Sequence, residues 1–136
     1  MPKQLAIMLS QHIGAICKPV INKKDTVTAG QVIASADAFV SAPIHSPVNG
    51  IVKDIALCSH PVLGRAEAVI IESGPDNPPK HPNPNAFDFD FDPSHYSPEQ
   101  IFEAVRKAGI VGMGGAGFPT SVKIKANPQS PITDII

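Results

Sequence analysis

Five of the ten glycines in this 136-residue chain fall between Gly109 and Gly117, and Gly112, Gly114 and Gly117 spell G-x-G-x-x-G. Glycines leave no Cβ in the way, so their backbone N–H groups can close on a phosphate. Lys123 and Lys125 follow as sources of positive charge, and Asp134 lies about twenty residues on, where a ribose-binding acid stands in a dinucleotide fingerprint. The chemistry would be capture of a nucleotide phosphate. The Rossmann form of this motif needs a strand before the glycines and a helix opening directly after them. Here a capped helix precedes, and Phe118-Pro119 breaks the expected helix opening. The local sequence fits a non-Rossmann phosphate loop and a plain glycine-rich turn with solvated lysines equally well.

The other reactive side chains make weaker patterns. His12, His45, His60, His81 and His95 show no H-x-x-x-H spacing, and His60 near Cys58 reads as a surface loop before it reads as a metal pair. Ser10 with His12, and His45 with Ser46, lack the strained elbow and third group of a nucleophile site. Cys17 and Cys58 are too few for a four-thiolate metal or iron–sulfur site. They read as reduced thiols, although one disulfide is allowed by count. Asp88, Asp90 and Asp92 alternate with Phe87, Phe89 and Phe91. Three carboxylates could meet a cation or form a docking arm, but strict alternation is explained more simply by one buried phenylalanine face and one wet face.

The elements that must position these residues divide the chain into three. In residues 1–74, apolar runs are punctuated by Gly, Pro and Asn at barrel-like intervals, with strands predicted at 5–9, 18–21, 31–35, 39–42, 49–55 and 66–73 and a hairpin signal at Asn49-Gly50. Residues 75–96 are a proline-rich linker, where Pro75, Pro78, Pro79, Pro82, Pro84 and Pro93 withhold backbone donors. Residues 97–136 begin an α/β segment. Ser97-Pro98-Glu99-Gln100 is a capping box with Pro at N1, Ile101, Ala104, Val105 and Ala108 form the apolar stripe, and Gly109 sits at C′. Ile132–Ile136 reads as the opening of a buried strand with nothing after it, so the α/β segment is expected to be truncated.

Composition excludes several classes of function. Eleven basic against twelve acidic residues give a net charge of −1, which is no footprint for nucleic acid or an anionic membrane. The start Met-Pro-Lys-Gln is not a signal peptide, and no apolar run is long enough to span a bilayer. A hydrophobic content of 43% supplies one modest core.

Three stretches, Leu9-Ser10-Gln11-His12-Ile13-Gly14-Ala15, Gly30-Gln31-Val32-Ile33-Ala34 and Ala42-Pro43-Ile44-His45-Ser46-Pro47-Val48-Asn49-Gly50, are followed by Ser97-Pro98-Glu99 and the segment Ala108 to Thr120. In that order they resemble the N-terminal part of the C subunit of the Rnf/Rsx ion-translocating electron-transport complexes, over most of the chain. The resemblance implies a barrel-sandwich hybrid, the fold of lipoyl and biotinyl carriers. No lysine lies between Lys24 and Lys53, so a swinging-arm carrier is excluded by sequence.

The glycine segment is similar to that of the flavin-binding NADH subunit of respiratory complex I. That likeness implies FMN and NADH as cofactors of the intact subunit, with Gly112, Gly114, Gly115, Ala116, Gly117, Phe118 and Lys123 as the binding positions. Met113 stands where the complex I subunit commonly has arginine. The 4Fe-4S clusters of the resembled family lie on cysteine arrays downstream of this chain, and its partners are the other subunits of a membrane complex, placing it peripherally on the cytoplasmic side. By itself the chain is expected to be inactive and to bind neither FMN nor NADH, with a mobile loop packing Ile110, Val111 and Phe118 onto a neighbour. The alternative reading is a non-catalytic barrel-sandwich interaction or scaffold module.

Overall fold

The computed structural model describes residues 2–74 and 92–125. The linker at 75–91, with its Phe/Asp alternation up to Phe91, and the strand expected at Ile132–Ile136, lie outside the described residues.

Seven strands make the first part of the chain: β1 (Gln4–Met8), β2 (Lys18–Pro19), β3 (Thr26–Val27), β4 (Val32–Ser35), β5 (Ile44–His45), β6 (Gly50–His60) and β7 (Gly64–Ser73). They form two antiparallel sheets, β1-β7-β6-β3 and β2-β4-β5, curled around one core. Leu9, Val27, Ile33, Val48, Val52, Val69 and Ile71 are each 2% exposed or less and close that core together with Ile21 and Ile44. Burying each such side chain is worth about 1.5–3 kcal/mol, so the barrel-sandwich has a complete apolar interior of its own.

The residue pattern explains the register. β6 starts as a clean alternation, with Gly50 and Val52 inside and Ile51 and Lys53 outside. Pairing then shifts between Val52 and Asp54, so Lys53 is the extra residue of a β-bulge. A bulge resets the pleat by one residue, and this is why Ile51-Val52-Lys53-Asp54-Ile55 alternates only in part.

Several expected boundaries are corrected. Residues 39–42 form no strand: the chain bends at 37–40, and the strand lies later, at β5. The Asn49-Gly50 pair does not make a hairpin. Asn49 Oδ1 instead accepts the Ala29 N–H at 2.8 Å, and Gly50 enters β6. The hairpin is at Pro61-Val62-Leu63, between β6 and β7. β3 had no signal beyond a two-residue Thr-Val.

After a short 3-10 turn at Pro93–His95 comes α1 (Pro98–Lys107). Its capping box is formed as the sequence predicts: Ser97 Oγ accepts the Gln100 N–H at 3.2 Å, and Gln100 Oε1 accepts the Ser97 N–H at 2.8 Å. Such a cap is worth about 1 kcal/mol. Gly109 takes φ +67, the left-handed conformation that ends a helix. The packed face keeps only Val105 of the expected stripe: Phe102 and Arg106 are half-buried with it, while Ile101, Ala104 and Ala108 stay exposed. Then come β8 (Val111–Gly112), β9 (Phe118–Pro119) and α2 (Thr120–Ile124).

Candidate functional site

The glycine segment is the turn of a small hairpin. Val111 pairs with Pro119 and Gly112 with Phe118, so residues 113–116 form the tip. The strand that opens the glycine loop, β8, thus finds its partner in β9 of the same segment. Pro119 serves as N-cap to α2 rather than breaking it, which sets Lys123 one turn beyond Thr120. The Lys123 ammonium reaches back over the hairpin, 3.0 Å from where a Gly112 Cβ would stand and 5.8 Å from the centre of the Phe118 ring.

All seven expected binding positions therefore gather in one place, but in two physical roles. Gly117 is built into the fold: it has φ +66, and a Cβ there would come within 2.9 Å of Gln11 O and 3.2 Å of His12 Cα. Gly114 and Gly115 face open space, with nothing within 4 Å of a Cβ at either. The Ala116 carbonyl accepts the Ile13 N–H at 3.1 Å, which fastens the tip to the barrel. The N–H groups of Gly114, Gly115 and Ala116 meet no acceptor among the described residues. Lys125 serves elsewhere, its ammonium lying 5.0 Å from the Phe39 ring centre and 5.6 Å from that of Phe102. Asp134 lies outside the described residues. The hairpin packs on the chain's own barrel at Gln11–Ile13.

Where the hairpin meets the barrel there is a groove of about 790 Å³. Residues 6–8 of β1, 10–13 and 60–63 line one side, and Val111, Met113 and 115–117 line the other. Sequence reading missed the barrel side of this groove because its members are brought together over long separations. The His60 ring is a hub: its Nδ1 accepts the N–H groups of Val62 and Leu63, both at 3.1 Å, and its Nε2 lies 3.1 Å from Ser10 O. Two acceptor contacts at Nδ1 place the proton on Nε2, which donates to Ser10 O. His12 is held likewise. Its Nε2 lies 3.2 Å from the Ala42 nitrogen and 3.1 Å from the Ala42 carbonyl oxygen, and its Nδ1 lies 3.1 Å from Ile13 O.

Cys17 lies behind His12, with its thiol 3.6 Å from His12 Nε2 and donating to Ala42 O at 3.2 Å. Burial pushes this thiol up from its ordinary range, the opposite of what a nucleophile needs. Both cysteines are free. Among the described residues no three His, Cys, Asp or Glu side chains converge on a metal position, and no helix is long and apolar enough to cross a membrane.

Four findings from known proteins bear on this geometry. Residues 1–76 match the family described as the RnfC barrel sandwich hybrid domain. The chain is 38% identical over 131 residues, 96% of its length, to the C subunit of the proton-translocating ferredoxin:NAD(+) oxidoreductase complex of Clostridium ljungdahlii, and covers 28% of that protein. It is 38% identical over 138 residues to the C subunit of the Na(+)-translocating ferredoxin:NAD(+) oxidoreductase complex of Acetobacterium woodii, covering 99% of this chain and 30% of that one. The C subunit of the ion-translocating oxidoreductase complex of Rhodobacter capsulatus is 36% identical over 136 residues, with 26% of it covered. The chain thus spans between about a quarter and a third of the length of the curated relatives it matches.

Proposed function

Because the chain belongs to the RnfC family, whose relatives are the C subunits of ion-translocating oxidoreductase complexes, we propose that it is the N-terminal portion of an NADH-oxidising, FMN-binding subunit of such a complex. The barrel with its attached glycine hairpin makes the first part of the nucleotide site. The observation that carries this reading is the hairpin tip. Gly114 and Gly115 are bare toward open space and donate no hydrogen bond within the described residues, as a phosphate cradle requires.

FMN, when bound, supplies the chemistry by accepting hydride from NADH and releasing electrons to iron–sulfur acceptors. The chain's own residues bind and orient. Gly114, Gly115 and Ala116 offer N–H donors, Lys123 offers a cation on the Gly112 side, and Phe118 and Gly117 fix the hairpin that holds the donors in place. Their contribution is positioning and electrostatics.

This chain by itself binds FMN and NADH weakly at most, since the groove is walled on two sides only and the relatives carry several times its length. Partners are the other subunits of a membrane complex, and the chain sits peripherally on it. Calorimetric titration of FMN and then NADH into this chain, and into the same residues extended to the length of the relatives, is the test. Micromolar FMN binding by the extended protein, lost on Gly115→Val, is the expected result. Absence of flavin binding in the extended protein would return the chain to a scaffold role.

A further inference from the structure

Four large apolar side chains border the groove while more than half exposed: Ile13 at 51%, Val62 at 84%, Leu63 at 54% and Met113 at 91%. Isolated exposed apolar residues are ordinary, but several around one concavity mark a binding surface. Three of the four come from the barrel, and two sit on the β6–β7 turn. That turn is stiffened from within, because His60 Nδ1 takes both the Val62 and Leu63 N–H groups while Nε2 ties the turn to Ser10. A solvent-facing hairpin tip gains nothing obvious from such a clamp on two apolar residues. A tip that must present them at a fixed place does.

We infer that the barrel supplies the second wall of the flavin site: Val62, Leu63 and Ile13 receive the flat heteroaromatic ring of FMN, opposite the glycine tip that takes its phosphate. The inference rests on the flavin reading above and assigns residues to the ring, which that reading leaves without any. A groove of about 790 Å³ lies in the range of about 300–1,000 Å³ common for small-ligand sites. The hairpin side offers the Gly115 and Ala116 backbone donors beside Val111 and Met113, with the Lys123 ammonium at Gly112, outside the groove lining. The barrel side offers the aliphatic surface of Ile13, Val62 and Leu63 beside the polar Ser10, Gln11 and His12. His60 is then a positioning residue that acts through the turn.

The experiment uses the subunit at the length of the relatives, stripped of flavin and titrated with FMN and with riboflavin, which has the ring but no phosphate, read by quenching of flavin fluorescence. Val62→Asp with Leu63→Asp adds charge at exposed positions and leaves the core untouched. This double variant is expected to weaken FMN and riboflavin by the same factor, about tenfold or more, the cost of setting charge against an apolar ring. Gly115→Val, whose Cβ meets no protein atom, is expected to weaken FMN far more than riboflavin. His60→Leu should behave as the double variant does, and His60→Asn, which keeps an acceptor at the Nδ1 position, should restore most of the riboflavin affinity. Unchanged affinity for both flavins in the double variant, with Gly115→Val still defective for FMN, overturns the inference and leaves the flavin reading standing. A subunit that binds no FMN at all overturns both.

Discussion

The barrel and the helix-hairpin segment are stabilised in opposite ways. In the barrel, eleven residues make a continuous buried cluster. In residues 92–125, α1 has no buried residue, and the fully covered positions are Pro119 and Ser121. The barrel therefore carries its own free energy of folding, whereas the segment takes its order from the barrel. The ties between them are specific: Gly109 against Pro43 and His45, Gly117 against Gln11 and His12, the Ile13–Ala116 hydrogen bond, and the Lys125 ammonium over Phe39. A small cleft between Ser35, Ala36, Ser41 and Pro43 of the barrel and Glu103, Arg106 and Lys107 of α1 marks the same seam. A functional loop laid on a rigid scaffold by few contacts is positioned without being locked, as ligand-binding loops commonly are.

The largest test of this asymmetry is Ile33→Ala. Ile33 is fully buried at the centre of the barrel, and its truncation should cost about 2–5 kcal/mol. Both regions should melt together in thermal unfolding. Continued amide protection of α1 in an unfolded barrel would break the comparison. Next is Gly117→Ala, which combines a φ of +66 with a Cβ 2.9 Å from Gln11 O. The expected outcome is undocking of the hairpin at about 1–3 kcal/mol, with hydrogen exchange accelerated across residues 109–125 and unchanged in β4 and β6. Gly115→Ala, open on all sides, should leave exchange unaltered everywhere.

A smaller effect is expected at the seam. Phe39→Ala removes one of two rings from the Lys125 ammonium, worth about 0.5–1 kcal/mol at an exposed site, and should loosen α2 without moving the barrel transition. The smallest is electrostatic. The Lys53 ammonium, 2.6 Å from Glu72, holds the Glu72 carboxyl below its ordinary range. A lowered carboxyl contributes stability that is present above its unfolded-state value and is lost as pH falls through the folded one. The melting temperature of the barrel should therefore show a slight acid-limb loss that Lys53→Met removes. Because the pair is exposed the loss should be small, and a large one would mean that this face is covered.

How much of this was legible in the residues depended on the range of the interaction involved. The α1 cap was readable because Ser97 and Gln100 are three residues apart and their bonds close within one turn. The inward face of α1 was not legible because Arg106 lies in the cleft with Pro43 and Phe102 lies under the Lys125 ammonium, partners outside the helix itself. Most barrel strands were visible in their apolar runs, while β3, two residues long, exists only because Thr26 and Val27 pair with Ile51 and Gly50. The bulge at Lys53 is likewise a property of two strands in register, with no mark on one of them alone.

The sequence by itself determined a barrel with a complete apolar core, a capped helix ended by Gly109, a glycine loop of non-Rossmann context and the absence of a carrier lysine, since each of these follows from local chemistry or from residue identity. Only the tertiary structure decided which glycines are bare and which are packed, that Lys123 returns over Gly112 while Lys125 leaves for Phe39, and that the His60 clamp and the hairpin tip face the glycine turn across one groove. The groove and the seam join residues separated by about fifty positions or more, and no local preference specifies them. They arise when burial of the barrel core fixes the two sheets and leaves the later segment one surface on which its glycines can fit.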